Sequence, residues 1–219
     1  MSAAPSLTAL AWDVCPPPAP GCRPVWLDEV EAFRGRVLYD SGRRPGFLAG
    51  DGRCVDPDPG DRDAYHVIAS SDDGIVGCFR VIALATAHSG VCEGLLGTQR
   101  LEDVLRALGT DRGRVSEGGG WAVDPGYRGQ GLGLRLLATG VAVAERLGLT
   151  TMLGASGVSD GQCRTLAKVG GRPVPGIDLV GVPRLADDIR IMYTSAAAAT
   201  PRFRALVNEA GIEMGLRLG

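Results

Sequence analysis

The residues with the clearest capacity for chemistry stand together in Arg128-Gly129-Gln130-Gly131-Leu132-Gly133, an arginine and three glycines within six positions. A short apolar stretch, Trp121-Ala122-Val123, precedes them and has room for one strand. Asp124-Pro125-Gly126-Tyr127 stops that strand, because proline donates no ladder hydrogen bond and glycine relaxes the backbone. Leu134, Leu137, Val141 and Ala144 then recur at helical spacing, with Arg135, Glu145 and Arg146 between them. Strand, glycine-rich turn and helix in that order aim free backbone N–H groups and a positive helix end at an anion. Glycines let those amides approach a phosphate where a Cβ would intrude. Arg128 adds a charged fork that matches phosphate oxygens. The spacing predicts a phosphate-bearing ligand over residues 128–133; a glycine-rich turn without a ligand is the bland alternative in a chain of 33 glycines.

A P-loop requires Lys-Ser or Lys-Thr after its last glycine, and none is present. The dinucleotide fingerprint requires a third glycine three after the second, and with Gly129 and Gly131 as the first two, Leu134 stands there. What is left, Arg-x-x-Gly-x-Gly, resembles the pyrophosphate loop of the GNAT superfamily of N-acetyltransferases, closely over Val123 to Gly148 and loosely beyond. The resemblance implies a mixed α+β fold: a central, mostly antiparallel twisted sheet with splayed central strands, flanked by helices. It implies acetyl-CoA or a longer acyl-CoA as cosubstrate and no metal. Arg128, Gly129, Gln130, Gly131, Leu132 and Gly133 would hold the pyrophosphate. The pantetheine arm would pair with the Ala122-Val123 backbone, in the gap between that strand and one at Leu149–Leu153.

Acyl transfer from a thioester to an amine needs the amine to lose a proton and the tetrahedral oxyanion to be stabilised. Glu117 is the expected general base, upstream on the strand that feeds the loop, where partial burial would raise its pKa into a useful range; an exposed strand-start glutamate is the alternative. The Val123 N–H is the oxyanion donor that the resemblance implies. Many family members place a tyrosine acid near the position of Leu166, and Tyr193, the only tyrosine in the C-terminal third, is the substitute. Packing or a backbone hydrogen bond is its alternative use.

Length and composition bound the rest. At 219 residues, 45% hydrophobic and 22% charged, the chain suits one sizeable domain. A Pro-rich tail is expected over residues 1–24, where Cys15-Pro16-Pro17-Pro18-Ala19-Pro20-Gly21 favours extended conformation, and a single domain over 25–219. A formal net charge of -2 argues against nucleic acid. No apolar run approaches a membrane span, and the N-terminus lacks a signal-peptide pattern. Six scattered cysteines without CxxC or CxxH pairs suggest reduced thiols in the cytoplasm and no zinc. Monomer and homodimer are both open.

The remaining elements are expected as a helix over Trp26–Tyr39, a long acidic loop over Gly42–Asp63 whose aspartates suit turns, and a hairpin over Ala64–Ala69 and Ile75–Ala85. His66 in that hairpin reads as a structural histidine rather than a base. Thr86–Val115 is an insertion carrying a helical pattern at Leu101, Val104, Leu105 and Leu108. The N-terminal helix, acidic loop, Val76-Gly77-Cys78-Phe79-Arg80 strand and inserted helix together resemble the branch of acyl-homoserine-lactone synthases and long-chain N-acyl amino acid synthases. That branch opens the next strand with a glutamate, matched by Glu117, and carries an arginine three residues on, where this chain has Gly120. It brings acyl carrier protein into view as an alternative donor and a small-molecule amine as acceptor; a non-catalytic acyl-CoA sensor and a mononucleotide-binding protein are the readings from other classes. A helix over Ser159–Val169, strands over Gly176–Val182 and Asp188–Thr194, and a helix opened by Thr200-Pro201 complete the chain.

Overall fold

The antiparallel hairpin of β2 (Ala64–Ser71) and β3 (Gly74–Ala83) is the trunk of one eight-stranded sheet. Its branched and aromatic residues alternate faces, as a sheet covered on both sides requires. The computed structural model describes residues 7–56, 58–88, 90–159, 161–183, 187–195 and 197–217, with residues 216 and 217 described by backbone alone. Strand order is β1-β2-β3-β4-β5-β8-β6, with β7 also on β8; the further strands are β1 (Ala11–Cys15), β4 (Val115–Val123), β5 (Thr151–Gly157), β6 (Arg172–Pro173), β7 (Val180–Val182) and β8 (Asp187–Ser195). Every pairing is antiparallel except β4 with β5. The mixed α+β sandwich of helices on a mostly antiparallel sheet is therefore as the resemblance implied.

Helices α4 (Leu132–Arg146) and α6 (Pro201–Arg217) pack on one face, where Phe79, Val81, Leu136, Leu137 and Phe203 make the main core. On the other face lie α1 (Val25–Asp40) and the inserted pair α2 (Val91–Leu96) and α3 (Thr98–Ala107). Leu101, Val104 and Leu105 of α3 are buried against Leu153, Ile189 and Ile191, so α3 covers the sheet. A short α5 (Gln162–Lys168) follows β5; the helix expected from Ser159 starts later, and residue 160 lies outside the described residues.

The expected tail needs correcting. Residues 1–6 lie outside the described residues, but Ala11–Cys15 forms the edge strand β1, paired with β2 from Ala11↔Ser70 to Cys15↔His66, and Leu10 is buried in the main core. The prolines that follow end the strand; they do not prevent it.

Two local features shape the centre of the sheet. Between Cys78↔Ala122 and Arg80↔Gly119, β4 carries one residue more than β3, a bulge at which Gly120 has φ 57°. And β4 pairs with β5 only from Val115↔Thr151 to Glu117↔Leu153, after which the two strands part.

Candidate active site

Where β4 and β5 part, a cavity of about 590 Å³ opens through the sheet. Gly118 to Trp121 form its β4 wall and Leu153 to Ser156 its β5 wall; Val91 and Leu95 of α2, Phe79, Leu137 and Leu166 supply apolar surface. The expected gap thus exists, but its β4 wall lies upstream of the expected Ala122 and Val123. Ala122 is buried and pairs with Cys78 in the β3–β4 ladder, and burial pushes the Cys78 thiol up to about 12. The Val123 carbonyl accepts a hydrogen bond from Arg128 Nε at 3.1 Å.

The three glycines of the wall are fixed by their neighbours. A Cβ at Gly118 would lie 2.7 Å from the Met152 sulfur and 2.8 Å from the Phe79 ring. At Gly120 it would stand 2.9 Å from Arg34 Nη1. The position at which the branch that the sequence resembles is expected to carry an arginine is therefore taken up here by the guanidinium of Arg34 arriving from α1.

Downstream lies the glycine-rich loop expected from the sequence to hold phosphate. Gly129 and Gly131 have φ 77° and 94°, conformations that glycine adopts without strain. A Cβ at either would meet nothing within 4 Å, so these glycines are needed for backbone shape and the loop's outer side is open. Gly131 is the N-cap of α4, and among the described residues no side chain caps that helix end. Gln130 folds back onto the Gly126 carbonyl, and Gly133 lies against the Trp121 ring. The Leu132 side chain is buried in the main core, so residue 132 offers a ligand only its backbone. Unsatisfied helix amides, an open loop and a neighbouring guanidinium suit a phosphate.

Glu117 occupies an unexpected position. It is only 1% exposed, and its two oxygens accept the N–H groups of Val91 (2.9 Å) and Cys92 (2.7 Å) at the start of α2. Gly90 leaves room for it, since a Cβ there would be 3.3 Å from Glu117 Oε2. The carboxylate lies behind the Gly90–Val91 wall rather than in the cavity. The buried Cys92 thiol is pushed well up by burial and then by this carboxylate. Tyr193, by contrast, lines the cavity, and among the described residues nothing engages its hydroxyl. The register Glu117↔Leu153↔Tyr193 separates the two by two strand spacings, roughly 10 Å.

A group that the sequence reading treats as turn formers proves to be a buried ion network. Arg34 binds Asp56 through Nε and Asp61 at 2.6 Å; Arg80 binds Asp61 at 2.7 Å and Asp58 at 2.8 Å. Both arginines are 1% exposed. Burial opposes ionisation of Asp61, but Arg34 and Arg80 hold its pKa below the ordinary value. His66 donates from Nε2 to the Asp61 carbonyl at 2.9 Å, and burial depresses its pKa, so it serves the network as a neutral ring. Arg34, Asp56 and Asp58 reach the cavity wall. Asp-Pro-Asp-Pro gives no sign of this in sequence; an arginine on the otherwise apolar face of α1 does, because it needs a buried partner.

Residues 39–170 match the model of the acetyltransferase (GNAT) family. No curated protein matches the chain by sequence. Among solved structures, TofI in a ternary complex with an inhibitor and MTA is 18% identical with a TM-score of 0.62, covering 90% of this chain and 98% of that one. BjaI, a CoA-dependent acyl-homoserine lactone synthase solved with SAM and isopentyl-CoA, is 16% identical at 0.59, covering 84% and 82%. The AHL synthase LasI is 12% identical at 0.59, covering 85% and 89%. At these identities the likeness is one of fold.

Proposed function

The chain belongs to the acetyltransferase (GNAT) family and is an acyltransferase, and we propose that it moves an acyl group from an acyl-CoA thioester to the amino group of a small molecule by direct attack. The observation that carries this reading is the parting of β4 and β5 beyond Glu117 and Leu153 beside the uncapped, glycine-opened start of α4. In this reading Arg128 and the 129–133 backbone hold the pyrophosphate, and the pantetheine arm runs along β4 into the cavity. The amine nitrogen bonds to the thioester carbon, the C–S bond breaks, and Tyr193 protonates the departing sulfur. The Val123 N–H is the oxyanion donor expected from the family. Glu117, the expected base, is taken up with the amides of α2, and we assign it the task of holding the Gly90–Leu95 wall in place.

The solved CoA-dependent relative of the same fold supports CoA over a carrier protein as donor. The test is thiol release from acyl-CoA with a panel of amines, alongside calorimetric titration of acyl-CoA. Arg128→Ala is expected to weaken acyl-CoA binding by about 1–3 kcal/mol, the value of a lost charge-assisted contact, without unfolding the protein. Unchanged affinity would remove the phosphate reading. Thiol release only from acylated carrier protein would reassign the donor, and acyl-CoA binding without release to any amine would make the chain a sensor.

A further inference from the structure

The cavity wall holds two carboxylates, and their oxygens are not equally occupied. Asp58 Oδ1 accepts the Gly60 N–H at 2.9 Å, and its Oδ2 accepts from Arg80. Asp61, behind them, has both oxygens on Arg34 and Arg80. Asp56 differs: its Oδ2 accepts Arg34 Nε and its carbonyl accepts Arg34 Nη2 at 2.9 Å, but among the described residues no donor reaches Oδ1. The same guanidinium stands with Nη1 against Gly120 at the β4 bulge. Asp56 is thus one guanidinium's width from the strand along which the thioester is expected, on the same cavity as Tyr193.

We propose that Asp56, not Glu117, is the base of this reaction: its Oδ1 receives the acceptor's ammonium group and takes one proton from it, leaving a neutral amine facing the thioester. The inference rests on the acyl-transfer reading above. The amine then attacks, and the C–N bond forms as the C–S bond breaks. The second proton leaves the nitrogen for the sulfur by way of the Tyr193 hydroxyl. Asp56 returns its proton to solvent, so that ammonium and thioester give amide, thiol and one proton. Arg34 holds the Asp56 carboxylate by its other oxygen, Oδ2, so the acceptor meets an oriented Oδ1. Burial raises the Asp56 pKa against the pull of Arg34, with Asp58 and Asp61 adding to the rise, which moves it towards the working pH of a base. The other titratable or charged groups around it are Arg80 on β3, the neutral His66 on β2, the buried Glu31 of α1, whose carbonyl accepts the Asp56 N–H, and Arg44, a cation that also lines the cavity. The acceptor class this implies is a primary amine, bound as its cation.

The experiment measures steady-state thiol release from octanoyl-CoA against the amine panel across pH. Wild-type turnover establishes acyl transfer itself; no turnover with any amine would sink that reading whatever Asp56 does. With turnover in hand, Asp56→Asn is expected to lower kcat/KM for the amine about 10²- to 10⁴-fold. It should also remove the acidic limb of the pH–rate profile and leave octanoyl-CoA affinity unchanged, with partial recovery in Asp56→Glu. Glu117→Gln should keep the acidic limb. An Asp56→Asn enzyme with wild-type kcat/KM, or with its acidic limb intact, overturns the proposal. If that variant fails to fold, the wild-type enzyme decides: the accepted amine is compared with its isosteric alcohol as a ligand, at a pH where the amine is protonated. Binding of the cation at least tenfold tighter is expected, and equal binding overturns the assignment.

Discussion

At the scale of single residues, this site is built from side chains that are absent as much as from those present. Gly118, Gly119 and Gly120 face Met152 and Phe79, Arg80, and Arg34 in turn. Each missing Cβ is space that a neighbour has filled, so the triplet is a packing surface and not a flexible spacer. His66 shows the same interdependence through its charge. Its ring is buried against Trp26 and donates to the Asp61 carbonyl, and burial holds its folded pKa below the ordinary 6.5. The unfolded chain therefore binds this proton more readily than the folded one. The resulting stability is complete above about pH 6.5 and is lost as pH falls below it. Urea denaturation at pH 7.5 and 5.5 is expected to show a drop in the wild type that is reduced in His66→Gln. An equal drop in both would place the pH sensitivity elsewhere.

Elements matter here through how they are tied. The insertion supplies two helices with different tasks. Helix α3 buries Leu101, Val104 and Leu105 in a core, while α2 gives Val91 and Leu95 to the cavity. Only part of the insertion's apolar surface therefore lines the cavity. Glu117 ties the start of α2 to β4, and Arg112 ties Glu93 of α2 to Glu102 of α3 at 2.7 and 2.5 Å. With Leu95, Leu137, Met152, Leu153, Leu166 and Met192 lining the cavity, each buried acyl methylene should add about 0.8 kcal/mol. Four carbons then add roughly 3 kcal/mol, a preference of order 10² in affinity. We expect the specificity constant to rise along an acyl series from acetyl to octanoyl; a series that peaks at acetyl would make the insertion a cover alone. Glu117→Ala removes two hydrogen bonds from a charged acceptor, an expected loss of about 2–4 kcal/mol in denaturation. It should raise KM for octanoyl-CoA more than for acetyl-CoA, because the wall it releases touches the acyl chain.

For the molecule as a whole, the sheet is continuous from β1 at one edge to β6 at the other, and only its centre is open. The pairing lost between β4 and β5 is tolerated because β5 remains fully paired with β8, and β4 with β3, on their other sides. The edge contributed by β1 belongs to this frame. Removing residues 1–15 would expose the ladder of β2 and take Leu10 out of the main core, where its burial alone is worth about 2 kcal/mol. Such a truncation is expected to lower the denaturation midpoint and to scatter light on warming. A truncated protein as stable as the full chain would restore the status of tail to this segment.

The sequence by itself determined those parts of the protein that depend on near neighbours in the chain. The turn after Val123 and the helix from Leu132 follow from local residue chemistry, because proline, glycine and a 3.6-residue apolar period act over a few positions. The hairpin of β2 and β3 was legible for the same reason. So was the membership of α1, through Val30, Phe33 and Val37 on one face. What only the tertiary structure decided lies between segments distant in sequence. Glu117 becomes the anchor of α2 because Val91 and Cys92 are brought to it across a long connection. Asp56 reaches the cavity because Arg34, 22 residues earlier, holds it there. Carboxylates and amides carry no record of their partners in their spacing. The sheet assembles those partners, and with them decides which carboxylate faces the reaction and which holds the wall.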